Sequence, residues 1–167
     1  MSGLSRRGFM VNAAMVSTAL AGGRSDTATS PLMLHDSELS AGRRFAARAR
    51  LLGGQVVRLD GDRVRQMRDL LAASPISIFA VTQRSDELLI GEIAGEAGYR
   101  RVALVRHGAD GRATAHCSLE GKTVGTLAQL AGAGWPEAFA DLALDTVAQC
   151  PVVTGLEPAL SWVMIRT

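Results

Sequence analysis

The 167-residue chain is poor in aromatic residues, in lysine and in cysteine. Its two cysteines, Cys117 and Cys150, form no C-x-x-C pair and are too few for a disulfide framework, so redox and haem-attachment motifs are unsupported. Lys122 is the only lysine among 18 basic residues, and the net charge is only +2. This weak charge is no argument for a nucleic-acid partner, and none is expected.

The common signatures of nucleotide binding and hydrolysis are also missing. The first predicted strand–helix turn, residues 35–40, lacks the G-x-G-x-x-G of dinucleotide-binding sites. Gly121-Lys122-Thr123 resembles the end of a P-loop motif, but His116 occupies the position of the first glycine that this motif requires. The sequence contains no G-x-S-x-G nucleophile elbow. It therefore names no reaction and no cofactor.

The chain has no long hydrophobic run. Its best candidate, Val11 to Leu20, is interrupted by polar residues and is shorter than the roughly 20 apolar residues that span a bilayer. No stable membrane span is expected. This run follows two consecutive arginines and precedes Ala19-Leu20-Ala21, an A-x-A cleavage site. Residues 1–21 therefore have the three parts of a signal peptide, with cleavage before Gly22.

The basic part of this segment, Ser5-Arg6-Arg7-Gly8-Phe9, resembles the twin-arginine (Tat) export motif. Arg6, Arg7 and Phe9 stand at the motif positions, whereas Met10 and Val11 depart from its usual Leu-Lys ending. The resemblance implies transport of a folded chain by the Tat export machinery into the periplasm. It also implies a passenger that often carries a cofactor or travels with an exported partner protein.

The remaining chain is expected to form a flexible tether over residues 22–30 and a single domain over 31–167. Strand and helix patterns alternate along this domain. The strands are predicted at 32–35, 55–59, 76–81, 102–105, 112–119 and 160–165, and the helices from Ser40, after Asp62, from Ser85, over 123–130 and from Pro136 to about Gln149. This order predicts an α/β three-layer sandwich, flavodoxin-like or Rossmann-like. Its sheet is expected to be mostly parallel with an antiparallel hairpin at one edge.

Residue spacing also predicts which helix faces turn inward. Ser40 and Ser85 are candidate N-caps. In the helix after Ser85, the predicted inner stripe is Leu89, Ile93 and Ala97, and the paired glycines Gly91 and Gly95 would allow close approach to the sheet. The arginines of the first two helices are interpreted as a solvated face, or as a surface for an acidic partner or lipid headgroups.

Polar residues follow each predicted parallel strand, where ligands of open α/β sheets bind. His35 and Asp36 follow the first strand, and Thr82, Arg84 and Ser85 follow the third. We predict that any small ligand lies between these two loops and carries a carboxylate or phosphate, because Arg84 and a helix N-terminus both favour anions. The alternative is a hydrated edge where the same groups only cap and turn.

Other polar residues give weaker signals. Asp60 and Asp62 follow the second strand, and Arg106 and His107 follow the fourth, so they would meet the same edge. The alternative is that the two aspartates only cap and turn and that Arg106 and His107 lead solvated into the hairpin. His107 and His116 flank that hairpin, but two histidines without a third ligand are a weak indication, and no metal site is predicted. The favoured function is an exported, non-catalytic binding or accessory protein. The alternative is a small periplasmic enzyme with an anion-binding site at the carboxyl edge of the sheet.

Overall fold

The computed structural model describes residues 30–110, 112–115, 119–144 and 158–167. Six strands alternate with five helices in these residues. The strands are β1 Leu32–His35, β2 Val56–Arg58, β3 Ser77–Thr82, β4 Tyr99–His107, β5 Ala113–Ala115 and β6 Ala159–Arg166, and the helices are α1 Ser40–Leu51, α2 Arg63–Ala72, α3 Arg84–Glu96, α4 Leu119–Ala131 and α5 Trp135–Ala143. The predicted strand–helix alternation is confirmed, with most boundaries within three residues.

The strands form one mixed six-stranded sheet in the order β2-β1-β3-β6-β4-β5. β1 pairs in parallel with β2 and β3, as expected of a doubly wound sheet. The prediction of a mostly parallel sheet is wrong, because the pairs β3–β6, β6–β4 and β4–β5 are all antiparallel. The predicted hairpin does lie at one edge, since β5 pairs only with β4.

The position of β6 explains the error. The last strand does not extend the sheet at an edge but inserts between β3 and β4, antiparallel to both. Periodicity marked β6 as a strand, but hydrogen-bond partners come from other parts of the chain and leave no mark on local spacing. As a result, the amino-terminal end of β6 lies at the same sheet edge as the carboxyl ends of β3 and β4.

Two hydrophobic clusters lie on opposite sides of the sheet. Met33 and Phe79 pack with α1, α4 and α5 on one side, called here the α1 face. Leu34 and Ile78 pack with α2 and α3 on the other, the α3 face. Ile78 and Val81, predicted to be buried in the central strand, are both fully buried. The alternation of β-strand side chains therefore assigns each strand residue to one face.

The helix ends follow local chemistry in two cases and not in two others. The side chain of Asp62 accepts hydrogen bonds from the backbone N–H groups of Val64 and Arg65 and so caps α2. Gly53 ends α1 with a φ of 81°, as the Gly53-Gly54 pair predicts. Ser40 and Ser85 are not N-caps, because the cap residues are Leu39 and Gln83 and both serines lie inside the first turn.

The inward face of α3 differs from the predicted stripe. Ile90 and Ala94 are buried against the sheet, and Ile93 of the predicted stripe is partly buried beside them. The other two members of that stripe, Leu89 and Ala97, are exposed, and Gly95 has open space where a side chain would be. The helix is rotated because Glu87 is also buried and pairs with Arg101 on β4. A buried carboxylate is invisible to a hydrophobic pattern, so the apolar spacing pointed to a neighbouring face.

Two of the arginines expected on a solvated face instead link α1 to α5. Arg44 donates two hydrogen bonds to the carboxylate of Glu137, at 2.7 and 2.6 Å. Arg48 donates to the buried carboxylate of Asp141 at 2.8 Å. These pairs lie beside the tilted rings of Phe45 and Phe139, whose centroids are 5.5 Å apart. Two arginines of α1 therefore hold α5 against α1 through ion pairs.

Several predictions fall outside the described residues. These are the signal motif Arg6, Arg7 and Phe9, the cleavage residues Ala19 and Ala21, the tether up to residue 29, His116, and both cysteines. Within the described ranges, no helix is long and apolar enough to cross a membrane.

Candidate functional site

The carboxyl ends of β1 and β3 form the edge of the sheet at which the sequence predicts a ligand. β1 and β3 are neighbours, and the helices that follow them leave on opposite faces, α1 on one and α3 on the other. The backbone N–H of Asp36 donates to the carbonyl oxygen of Val81 at 3.0 Å, which ties the two strand ends together. All five predicted ligand-binding residues, His35, Asp36, Thr82, Arg84 and Ser85, therefore lie at this edge.

The sheet itself separates this group into two. His35 is in register with Val81, so its side chain lies on the α1 face. Thr82, one residue further on, belongs to the α3 face, where its hydroxyl accepts a hydrogen bond from Nε1 of Trp162 at 2.9 Å. Arg84 and Ser85 begin α3 on that same side. The structure thus brings Thr82, Arg84 and Ser85 together, and it places the ring of His35 across the sheet from them.

Burial further distinguishes the members of the predicted site. Asp36 and Thr82 are buried, and Asp36 Oδ1 accepts the backbone N–H of Glu38 at 2.8 Å, which closes a short turn. Arg84 and Ser85 are exposed on the first turn of α3. The cap residue Gln83 makes no side-chain hydrogen bond to that turn. The exposed part of the predicted site is therefore the start of α3.

His35 is the exception among the buried polar residues. Its side chain is buried, and neither ring nitrogen has a hydrogen-bond partner within the described part of the chain. Burial is the largest cause that lowers the pKa of His35, and the charge of Arg50 is the next. The charge of Asp36 raises this pKa, and the charge of Arg58 lowers it by a smaller amount. The imidazole is therefore neutral at pH 7, with one N–H donor and one acceptor unused.

A second polar group lies on the same face, at the ends of β4 and β6. His107 Nε2 and Ser161 Oγ are 2.8 Å apart and share a hydrogen bond. The ring of His107 stacks on Trp135 at the start of α5, with centroids 3.5 Å apart and an interplanar angle of 5°. Burial lowers the pKa of His107 to about 3, so its ring is neutral at pH 7.

Sequence reasoning missed Ser161 and Trp135 and misjudged His107. His107 does lie at the predicted edge, at the end of β4, but the alternative of a solvated lead is wrong, because its ring is buried against Trp135. The sequence predicted a strand over 160–165, but only the pairing of Ser161 with Val81 and with Val105 brings Ser161 to this edge. His35 and Ser161 lie on one face, roughly 10 Å apart across two strand spacings.

Comparisons with protein-family models, with curated proteins and with solved structures find no match. The chemistry of the site therefore depends on this chain's own residues. Among the described residues, no cluster of three or more His, Cys, Asp or Glu side chains could hold a metal ion. The arrangement offers an exposed helix start on the α3 face, an unpartnered imidazole beside two arginines, and a buried Ser–His pair.

Proposed function

We propose that this chain is an exported α/β protein of the periplasm that acts by binding, as an accessory to a larger exported enzyme. Export is supported by the order of Arg6, Arg7 and Phe9 before an apolar run and an A-x-A site, which resembles a Tat signal. The Tat machinery carries folded passengers, so an accessory protein and its partner can cross together.

The observation that carries the binding role is a pair of exposed leucines on α3. Leu88 is 51% exposed and Leu89 is 40% exposed, and they are consecutive on the outer side of the helix. Ser85 precedes them by one helical turn and Glu92 follows them by one turn, so polar side chains border the apolar pair on the same surface. Arg84 adds a positive charge at the carboxyl edge.

This arrangement suits contact with another protein. Single exposed leucines are ordinary, but two adjacent ones bordered by polar groups have the anatomy of a small interface, with an apolar centre and a polar rim. We call residues 84, 85, 88, 89 and 92 the α3 surface. Its polar members include Arg84 and Ser85 from the predicted site, which gives those residues a role in partner contact.

The test is native purification of the exported protein, with mass spectrometry of what copurifies. We expect one partner in stoichiometric amount with the natural sequence. The double variant Leu88→Glu/Leu89→Glu should lose that partner, since two charges would be buried at the centre of the contact. Both positions are on the surface, so the variant should keep its thermal midpoint.

Leu130→Glu is the matched control. Leu130 is 67% exposed on α4, which packs on the opposite face of the sheet, and its variant should retain the partner. Absence of a stoichiometric partner, or equal loss in both variants, would contradict the accessory role.

The second candidate is a small periplasmic enzyme with its site at the carboxyl edge. The observation that favours it is the hydrogen bond between Ser161 Oγ and His107 Nε2, the contact by which a base activates a serine nucleophile. A fluorophosphonate probe should then label the natural protein but not Ser161→Ala. If the natural protein stays unlabelled, the pair acts only in packing.

A further inference from the structure

The buried imidazole of His35 has ring nitrogens whose hydrogen-bonding capacity is not satisfied within the described residues. Its side chain is 4% exposed, and both Nδ1 and Nε2 lack partners within the described residues. A neutral imidazole has one donor and one acceptor, and leaving both unsatisfied in a low-dielectric interior costs free energy. The described side chains and backbone therefore supply no hydrogen-bond partner for this ring, and a bound ligand would satisfy it.

The charges of two guanidinium groups, Arg50 and Arg58, act on this ring and lower its pKa. Arg58 is the register partner of His35 on β2, so both side chains are on the α1 face. Arg50 is on α1, seven residues after Arg43 and therefore on the same side of the helix. Arg43 donates to the carbonyl oxygens of the two residues at 37 and 38, at 2.6 and 3.0 Å, so this side of α1 runs along the chain that follows His35.

The positive charges are available to a ligand. Arg50 has no ion pair among the described residues and is exposed. Arg58 pairs with Asp60, but both side chains are mostly exposed, and such a pair exchanges its partner at little cost. The Arg58 guanidinium holds the pKa of Asp60 below its usual range. Asp36 is the one opposing charge acting on His35, and it is engaged by the backbone N–H of Glu38.

We propose that His35, Arg50 and Arg58 form a binding site for a small oxyanion, a phosphate or a carboxylate. The imidazole N–H donates to one oxygen of the anion, and the guanidinium groups donate charge-assisted bonds to the others. The site lies on the α1 face, across the sheet from the α3 surface. It is independent of the proposed partner contact, and the two are tested by separate measurements.

The experiment follows the imidazole signals of the three histidines by proton–nitrogen NMR of the full chain, with His35 assigned through His35→Gln. Inorganic phosphate is titrated, with sodium chloride at matched ionic strength as the reference. We expect a saturable shift of the His35 signals with phosphate alone, and a raised His35 pKa, because an anion favours the imidazolium. Arg50→Gln should weaken phosphate binding by about tenfold or more, as expected for loss of a charge-assisted bond.

Arg68→Gln is the matched control, since Arg68 is an exposed cation on α2 with no ion pair among the described residues. It should leave phosphate affinity unchanged, and Arg58→Gln provides a second test if Arg50→Gln lowers the thermal midpoint. Acetate in place of phosphate separates the two ligand classes: saturation by both indicates a general oxyanion site, and by phosphate alone a phosphate site. No saturable shift with either anion, or equal weakening by Arg50→Gln and Arg68→Gln, would overturn the proposal.

Discussion

At the residue scale, two buried histidines are kept neutral by their surroundings. His35 and His107 both lie on the α1 face at the carboxyl edge, and burial is the largest cause of the lowered pKa of each. They differ in their partners, because His107 bonds to Ser161 and stacks on Trp135 whereas the ring of His35 has no partner among the described residues. Equal burial thus gives one satisfied and one unsatisfied imidazole.

His107 makes stability depend on pH. Its pKa is about 3 in the folded chain and near 6.5 when unfolded, so the unfolded state binds the proton first as pH falls. The contribution of this group is complete above pH 6.5 and is lost below it, by about 1.4 kcal/mol per pH unit. Urea unfolding between pH 7 and 5 should show this slope, and His107→Gln should flatten it. An unchanged slope in that variant would argue against a buried neutral ring.

At the element scale, the start of α1 approaches the end of β1 closely. A side chain at Gly42 would overlap the backbone oxygen of Asp36, which the first turn of α1 covers. Gly95 on α3 is the opposite case, since a side chain there would meet nothing within 4 Å. Two helical glycines of this chain therefore have different reasons to be present, one steric and one not.

Replacing each glycine with alanine should change stability in opposite directions. Gly42→Ala should cost several kcal/mol, because backbone atoms must shift to remove the overlap. Gly95→Ala should raise stability by up to about 1 kcal/mol, the difference in helix propensity between the two residues. Urea unfolding of both variants measures this. A rise in stability for Gly42→Ala as well would mean that α1 does not approach β1 as described.

The rotation of α3 provides the second test at this scale. Ile90 is fully buried on the α3 face, and its neighbour Leu89 is 40% exposed. Ile90→Asp should cost about 3 kcal/mol or more, because it buries an unpaired charge, whereas Leu89→Asp should leave the thermal midpoint nearly unchanged. A large loss of stability for Leu89→Asp with little change for Ile90→Asp would contradict this rotation. It would mean that Leu89 faces inward, as the apolar spacing alone predicts.

At the scale of the whole molecule, the described fold has two surfaces on opposite sides of one sheet. The α1 face carries His35 with two arginines, and the α3 face carries Leu88 and Leu89. α4 and α5 close the α1 face, partly through the ion pairs of Arg44 and Arg48. The proposed partner contact and the proposed anion site therefore lie on opposite sides of the sheet.

The proposed export is also tested at the scale of the whole chain. Replacing Arg6 and Arg7 by lysine should keep the protein in the cytoplasm at its full mass, because the Tat machinery reads the arginine pair. The exported natural protein should begin at Gly22 by intact mass. Replacing Arg43 by lysine, outside the signal, serves as the control and should leave export unchanged. Export of the double variant to the natural level would exclude the Tat route.

Much of the fold could be predicted from local patterns. The bounds of β1, the glycine end of α1, the cap at Asp62 and the hairpin edge all follow from residues close together in sequence. Less of the site could be predicted. The pattern placed polar residues at the ends of β1 and β3, but it assumed that one crevice held them all, and the strand alternation puts His35 and Thr82 on opposite faces.

The sequence by itself determined which segments are strands and helices and that β1 and β3 end in polar residues, because side-chain periodicity and turn chemistry act over a few residues. Only the tertiary structure decided that β6 enters the middle of the sheet and that Ser161 forms a hydrogen bond with His107. It also decided the rotation of α3, which buries Glu87 in a pair with Arg101. Strand partners and buried ion pairs join residues far apart in the chain. Their free energy depends on burial and geometry that arise only when the whole domain is assembled.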